Sequence, residues 1–438
     1  MPARRLFQRP LLALALAAAL ASASGRAKAE ALLLVDSDTG RVLHAENATY
    51  PWYPASTTKL MTVYTTLRAL KEGRITLDSV FVVSGNAAAQ GPTKMGFPVG
   101  TQVTVDNAIK MLMVKSANDM AVVLAEGVAG SIDNFSAEMN ANAQRLGMTQ
   151  TNYVNPNGLP ADEQITSARD LAILARALIH DFPEYDYYWH LPGIKLGKRV
   201  VRNYNTLLGR YPGADGMKTG FICASGFNLV ATASRDGKRM IAVVLGAPSS
   251  AVRAIKAAQL LEQGFNSGPL SWLTPSLGYV NALAPIEAAP VNLQEEMCGN
   301  HRKRPASEEE EQAGNTNFPS DSAYAAFLSS LKPQPKGAAL LQTENLGEPV
   351  PVFTGPPKGT VQAAADAKPA KGSKTAPKGA PTGPVATASA VPWSSISPGA
   401  VANNPPPELR GSRVSDPIPL PRARPRVVAA KPHPKPQP

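Results

Sequence analysis

Cysteine is scarce, with two residues in 438, Cys223 and Cys298. That excludes a disulfide-built scaffold and a Cys-rich zinc site. The two could pair, but Cys298 falls in a weakly structured C-terminal stretch, so the favoured reading of Cys223 is a small buried residue. Aromatic residues make up 6%, too few for a base-stacking platform. After the first thirty residues no apolar run approaches the roughly 20 needed to span a membrane. Proline is short only in part of the chain: residues 1–266 hold 12 and residues 267–438 hold 29. The first part can build a core, and the second mostly cannot.

Charge is equally uneven. The net charge is +11, yet residues 30–266 carry 22 Lys/Arg against 20 Asp/Glu, or +2. Residues 1–29 contribute +5, and residues 351–438 have 12 Lys/Arg against 3 Asp/Glu, or +9. The globular part is nearly neutral, which disfavours a nucleic-acid partner. Residues 1–29 read as an export signal, with Arg4, Arg5 and Arg9 before the Leu/Ala run Leu11–Leu20 and the small-x-small site Ala27-Lys28-Ala29. Export through this signal would leave no transmembrane anchor after cleavage, and cytosolic nucleotide cofactors are disfavoured. Residues 267–438 read as a mostly disordered Pro/Ala/Lys-rich tail, with a helix conceivable at Ser322–Leu331 and weak contacts to an anionic wall or membrane surface.

Between these ends lies a domain at 30–266. Ala31–Val35 and Arg41–Ala45 around Ser37-Asp38-Thr39-Gly40 predict a hairpin. Leu60, Met61, Val63, Tyr64, Leu67 and Leu70 recur at helical spacing over Ser56–Lys71. Val80–Val83 is strand-like. Helices are expected at Asn107–Val114, Asp119–Val128, Ile132–Leu146, Ser167–Ile179 and Ala251–Phe265. Further strands are expected at Lys198–Arg202, Gly226–Ala233 and Met240–Leu245. Strands at both ends with helices between predict an α/β (α+β) domain, one sheet with a helical insertion.

Three short motifs occur in order: Ser56-Thr57-Thr58-Lys59, Ser116-Ala117-Asn118 and Lys218-Thr219-Gly220. Each is weak alone. Ser329-Ser330-Leu331-Lys332 and Ser84-Gly85-Asn86 imitate the first two; one lies in the tail, and the other follows a strand. Ser56 and Lys59, at i and i+3 at a helix start, face the same way. A serine needs a nearby base to become a nucleophile, and a buried lysine can serve. Ser116 to Asn118 fall in a break between helices, where a hydroxyl and an amide can enter a cleft. Lys218-Thr219-Gly220 is expected on an edge strand, with Gly220 admitting substrate to the backbone. This motif set is shared by β-lactamases and penicillin-binding proteins.

Residues 30–266 closely resemble the low-molecular-mass penicillin-binding proteins, the serine D-Ala-D-Ala carboxypeptidases. Pro54–Thr62, Asn155-Pro156-Asn157-Gly158-Leu159, Thr166-Ser167-Ala168-Arg169-Asp170 and Asp215–Gly220 are similar to family blocks. The resemblance implies a β-lactamase/transpeptidase-like fold, an antiparallel sheet flanked by helices with the site beside a helical subdomain. It implies removal of the terminal D-alanine from peptidoglycan stem peptides, inhibition by β-lactams, no cofactor, no metal, and a periplasmic or wall-associated location. Ser56 would attack, Lys59 would take its proton, and Ser116 would relay one to the leaving amine. Asn118 would hold the peptide backbone, Lys218 would supply positive charge, and Ser56 and Phe221 N–H groups would hold the oxyanion. Thr219 and Arg253 would bind the terminal carboxylate. Ala117 replaces the usual Gly, and Phe221 a common His.

Alternatives with the same motifs are a D,D-endopeptidase and a β-lactamase. The β-lactamase lacks support because no Asp or Glu stands between Glu138 and Asp162, where a water-activating glutamate would fall. A non-catalytic wall-binding scaffold would have been favoured by a missing nucleophile or lysine. His44, His180 and His190 share no metal-ligand spacing. Trp52 and Tyr53 either line the cleft or pack behind the helix.

Overall fold

The computed structural model describes residues 30–266, 277–299, 337–341 and 347–356. The export signal, the first-motif imitation at Ser329–Lys332, the helix at Ser322–Leu331 and the basic end of the tail lie outside the described residues.

The chain enters through β1 (Ala31–Asp36) and β2 (Val42–Glu46), the expected hairpin. A 3₁₀ turn, Ala55–Thr58, leads into α1 (Lys59–Lys71). Next come β3 (Val80–Val82), the short α2 (Gly85–Ala89) and β4 (Gln102–Thr104), then α3 (Val105–Val114), α4 (Asn118–Ala129), α5 (Ile132–Leu146) and α6 (Ala168–Asp181). The hairpin β5 (Gly193–Leu196) and β6 (Arg199–Arg202) precedes β7 (Ala214–Ile222), β8 (Gly226–Arg235), β9 (Lys238–Ala247) and α7 (Ser250–Phe265).

The main sheet is antiparallel with strand order β2-β1-β9-β8-β7, so both chain ends of the domain close it and β7 forms an edge. Alternate residues feed two cores. Leu33, Val35, Ile241, Val243 and Leu245 join α6 and the helical subdomain, while Leu34, Ala242 and Val244 join Ala254, Ala258 and Leu261 of α7. With both faces covered, β9 needs no polar alternation, which explains the continuous apolar run Met240–Leu245. Side-chain caps fix where helices start: Thr104, Ser131, Ser167 and Ser249 accept hydrogen bonds from the backbone N–H three residues on. Ser84 does the same for α2, its Oγ accepting from Ala87 N at 2.9 Å, so Ser84-Gly85-Asn86 serves as a cap. Among the described residues no helix is long and apolar enough to cross a membrane.

Stretches beyond residue 266, read from composition as mostly disordered, return to the domain. Residues 277–299 run along the first hairpin, with Val42 N donating to Gly278 O and Val280 N to Gly40 O, both at 2.9 Å. They end in α8 (Gln294–Cys298), seated by buried Leu293 and Met297. Then β10 (Val350–Val352) pairs parallel with β5. These anchors are too short to stand out by periodicity, because each contributes only one or two apolar residues. Cys223 and Cys298 are joined by a disulfide with Cα atoms 5.6 Å apart. That corrects the reading of Cys223 as a small unpaired buried residue: α8 brings Cys298 back to the β7–β8 turn.

Candidate active site

Ser56 sits in the 3₁₀ turn before α1, and Lys59 opens the helix one turn on. The Lys59 ammonium is fully buried and donates to Ser56 Oγ at 2.9 Å, as the i, i+3 spacing predicts. It also donates to Asn118 Oδ1 at 2.7 Å and to the Asn157 carbonyl at 2.5 Å. Ala55, just before the serine, has a positive φ of 50°, a strained backbone for a residue with a Cβ.

The second motif lies in the break between α3 and α4, with Ser116 in the left-handed region at φ 60°. Thr93 holds this turn, its Oγ1 donating to Ser116 O at 2.9 Å and its carbonyl accepting from Asn118 N at 2.7 Å. Ser116 Oγ is buried and makes no hydrogen bond, although its residue lines the cleft. A buried hydroxyl left unpartnered is costly, and such groups concentrate where a substrate supplies the partner. Asn118 also has partners inside the protein. Its Oδ1 accepts from Lys59 and its Nδ2 donates to Gly91 O at 3.1 Å. The carboxamide thus touches the Lys59 ammonium at one end, while its Nδ2 carries a second hydrogen and the residue lines the cleft.

The third motif lies on the edge strand β7, as expected. Lys218 and Thr219 are buried, and Lys218 Nζ donates to Thr219 O at 3.1 Å. Gly220 has a use besides the one expected. A Cβ there would stand 2.8 Å from Ser56 N and 3.0 Å from Thr57 N, so the glycine lets the nucleophile's turn lie directly on β7. Phe221 lines the cleft and stacks on Phe227, ring centroids 4.3 Å apart. Arg253 is buried beside β8: its Nη1 donates to Asn228 O at 3.1 Å and its guanidinium lies 5.7 Å from the Phe227 ring, and like Lys218 and Thr219 it stands behind the residues that line the cleft. It stems from α7, which covers a sheet face, whereas the cleft opens at the β7 edge.

Two positions carried no role in the sequence reading. Asn157 supplies the third acceptor for Lys59. Gly158 has φ +81°, and a Cβ on it would lie 1.8 Å from the Ala55 carbonyl oxygen. Only glycine combines that conformation with that approach. The block Asn155–Leu159 was the available signal. Its support runs through Gln164, whose Nε2 donates to Thr58 Oγ1 at 3.0 Å and whose Oε1 accepts from Val154 N at 2.7 Å. Behind it, Asp170 Oδ2 accepts from Thr151 Oγ1 at 2.7 Å and from Gln150 N at 2.8 Å. Burial raises the Asp170 carboxyl above its ordinary value despite those bonds and the Arg169 pairing. Trp52 packs behind the site, its Nε1 donating to Ser225 O at 3.0 Å.

These residues surround a cleft of about 300 Å³, lined among others by Ser56, Ser116, Asn118, Asn157, Gly158, Phe221, Cys223 and Gln294. No carboxylate lines it; Asp162 and Glu163 are exposed at the surface. Among the described residues no His/Cys/Asp/Glu cluster could hold a metal ion.

Residues 17–249 match the family model of D-alanyl-D-alanine carboxypeptidase, peptidase S11. The D-alanyl-D-alanine carboxypeptidase DacC of Escherichia coli K12 is 40% identical over 243 residues, 54% of this chain and 60% of that protein. The crystal structure of penicillin binding protein 5 from Haemophilus influenzae aligns at TM-score 0.52 and 36% identity, covering 54% of this chain and 71% of that one. Penicillin binding protein 6B from Escherichia coli aligns at TM-score 0.52 and 37% identity, covering 54% and 77%. The chain thus spans about three fifths of the length of the curated relatives it matches.

Proposed function

The chain belongs to the peptidase S11 family of D-alanyl-D-alanine carboxypeptidases, and from that premise we propose that it removes the terminal D-alanine from peptidoglycan stem peptides through an acyl-enzyme on Ser56. The observation that bears most weight is the Lys59 ammonium at 2.9 Å from Ser56 Oγ on the wall of a cleft beside an edge strand. In the reactive state a neutral Lys59 amine accepts the Ser56 proton as Oγ attacks the carbonyl between the two D-alanines. Asn118 and Asn157 hold the amine in reach. The oxyanion is stabilised by the N–H groups of Ser56 and Phe221, and Gly220 sets the spacing between the two backbones. Ser116, whose hydroxyl lacks a protein partner, passes a proton to the departing D-alanine amine. Lys218 and Thr219 attract the terminal carboxylate. Water then hydrolyses the ester.

A β-lactam would acylate Ser56 in the same way. The cleft lining has no carboxylate to stand in for a β-lactamase's water-activating glutamate, so Lys59 would have to serve the water as well, which supports inhibition by β-lactams over rapid turnover. Because the substrate is a wall polymer, the reading places the enzyme outside the cytoplasm, as the export signal predicts. The test is D-alanine release from diacetyl-L-Lys-D-Ala-D-Ala by the mature chain beside Ser56→Ala. Release by the wild type alone supports the assignment; equal release by both removes Ser56 as nucleophile.

A further inference from the structure

The mechanism leaves one wall of the cleft without a task. Beyond Phe221 the lining continues through Ile222, Cys223 and Ala224 of the β7–β8 turn and then crosses to Gln294 on α8. That second element is held by three independent fastenings. Leu293 N donates to Ala224 O at 2.9 Å, Leu293 and Met297 pack over Gly226, and Cys298 is bonded to Cys223. Gln294 and Cys298 stand at i and i+4, so they share a face of α8. The Gln294 side chain is exposed, and among the described residues its carboxamide makes no hydrogen bond.

An extended peptide adds to a free sheet edge by main-chain pairing. If the terminal carboxylate lies toward Lys218 and Thr219 and the scissile carbonyl lies at Phe221, the acyl side of the peptide runs toward Ile222–Ala224. Ile222 ends the strand and the turn residues Cys223 and Ala224 continue the cleft wall, while an extended peptide advances about 3.3 Å per residue along that edge. The residue preceding the two D-alanines therefore comes beside the turn and the α8 end of the lining.

We propose that Gln294, held by the Cys223–Cys298 disulfide, hydrogen-bonds the side-chain end of the residue preceding D-Ala-D-Ala and so selects a long third residue with an amide or amino terminus. The inference rests on the activity proposed above. A carboxamide both donates and accepts, which suits such a terminus better than an alkyl one.

The test compares kcat/KM for diacetyl-L-Lys-D-Ala-D-Ala with that for acetyl-L-norleucyl-D-Ala-D-Ala, which keeps the alkyl chain and lacks the amide. The expected result is that the lysine-to-norleucine ratio falls about fivefold in Gln294→Ala, the worth of one neutral hydrogen bond. A similar fall is expected for oxidised wild type after reduction and for Cys298→Ser. An unchanged ratio in Gln294→Ala, with D-alanine still released, overturns the inference and leaves the carboxypeptidase assignment standing. A lowered ratio in Gln294→Ala with none on reduction overturns the part given to the disulfide. No release from either peptide by the wild type overturns the assignment and this inference together. Should Cys298→Ser fail to fold, as judged by near-UV circular dichroism, Gln294→Ala and the reduced wild type decide.

Discussion

The Asn157 carbonyl accepts a hydrogen bond from the Lys59 ammonium at 2.5 Å across 98 residues of sequence. With Ser56 Oγ and Asn118 Oδ1 it makes three acceptors for three ammonium hydrogens. The base is therefore positioned by three separate elements: its own helix, the α3–α4 break and the 155–159 loop. Of these three acceptors, the one able to attack a carbonyl is Ser56.

Lys59→Met should fold and lose kcat/KM for D-alanine release on the order of 10³-fold, the usual worth of a general base. Lys59→Arg should fare no better, because a guanidinium does not give up its proton. Steady-state assays on peptides ending in D-Ala-D-Ala, with circular dichroism to confirm folding, check both. Activity retained in Lys59→Arg would remove lysine as the base.

Glycine substitutions separate two kinds of contact. Gly158→Ala sets a Cβ against a backbone carbonyl at a positive φ, so a loss of roughly 3 kcal/mol or more is expected. Gly220→Ala meets the backbone N of Ser56, where a small shift relieves the clash. Its stability loss should be about 1–2 kcal/mol, while kcat falls disproportionately because the shifted N–H belongs to the oxyanion site. Urea midpoints and kcat measured on the same samples distinguish the two patterns. A Gly220→Ala enzyme with unchanged kcat would show that the nucleophile's turn does not depend on this approach.

Acid stability offers a test outside the cleft. Burial pushes the Glu262 carboxyl up, but the Tyr211 hydroxyl at 2.9 Å and the Arg235 guanidinium at 2.9 Å outweigh it and hold it below its ordinary value of 4.5. A carboxyl lowered in the folded state contributes stability above its unfolded value, and loses it as pH falls through the folded value. Glu262→Gln should therefore lower Tm near neutrality by on the order of 1–2 °C. The gap from wild type should close below the ordinary carboxylate range. A gap that persists unchanged to pH 3 would show that the bond geometry, and not the charge, carries the effect.

The frame of this fold was legible because its signals are local and repeated. The apolar stripe of α1, the Ser caps and the run Met240–Leu245 each state their structure within a dozen residues. The approach of Lys59 to Ser56 was legible because i, i+3 spacing at a helix start brings two side chains together. What stayed hidden depends on long-range closure. The contacts of Asn118 with Lys59 and Gly91 join elements far apart in sequence. Gly220 was read for the ligand's approach, and its close contact with the Ser56 backbone is an addition that only the fold reveals. The largest surprise, α8, is five residues long, and no periodicity in so short a piece announces that it closes a cleft.

The Cys223–Cys298 bond supplies the last prediction, because its effect separates chain entropy from packing. The two cysteines are 75 residues apart, and closing a loop of that length removes unfolded-state entropy worth about 4 kcal/mol. Reduction should therefore lower Tm by on the order of 10 °C in a domain of this size. Leu293 and Met297 are buried independently of the sulfur bond, so the reduced enzyme, with α8 tethered less firmly, should still unfold in one transition and retain Ser56 chemistry below it. Calorimetry with and without dithiothreitol, alongside covalent labelling of Ser56 by a fluorescent penicillin, reads both quantities. A reduced sample that keeps its Tm would mean that the unfolded chain is already confined near this closure. A reduced sample that loses labelling at 25 °C would mean that α8 supports the nucleophile's turn itself, through Trp52 and the Ser225 carbonyl behind it.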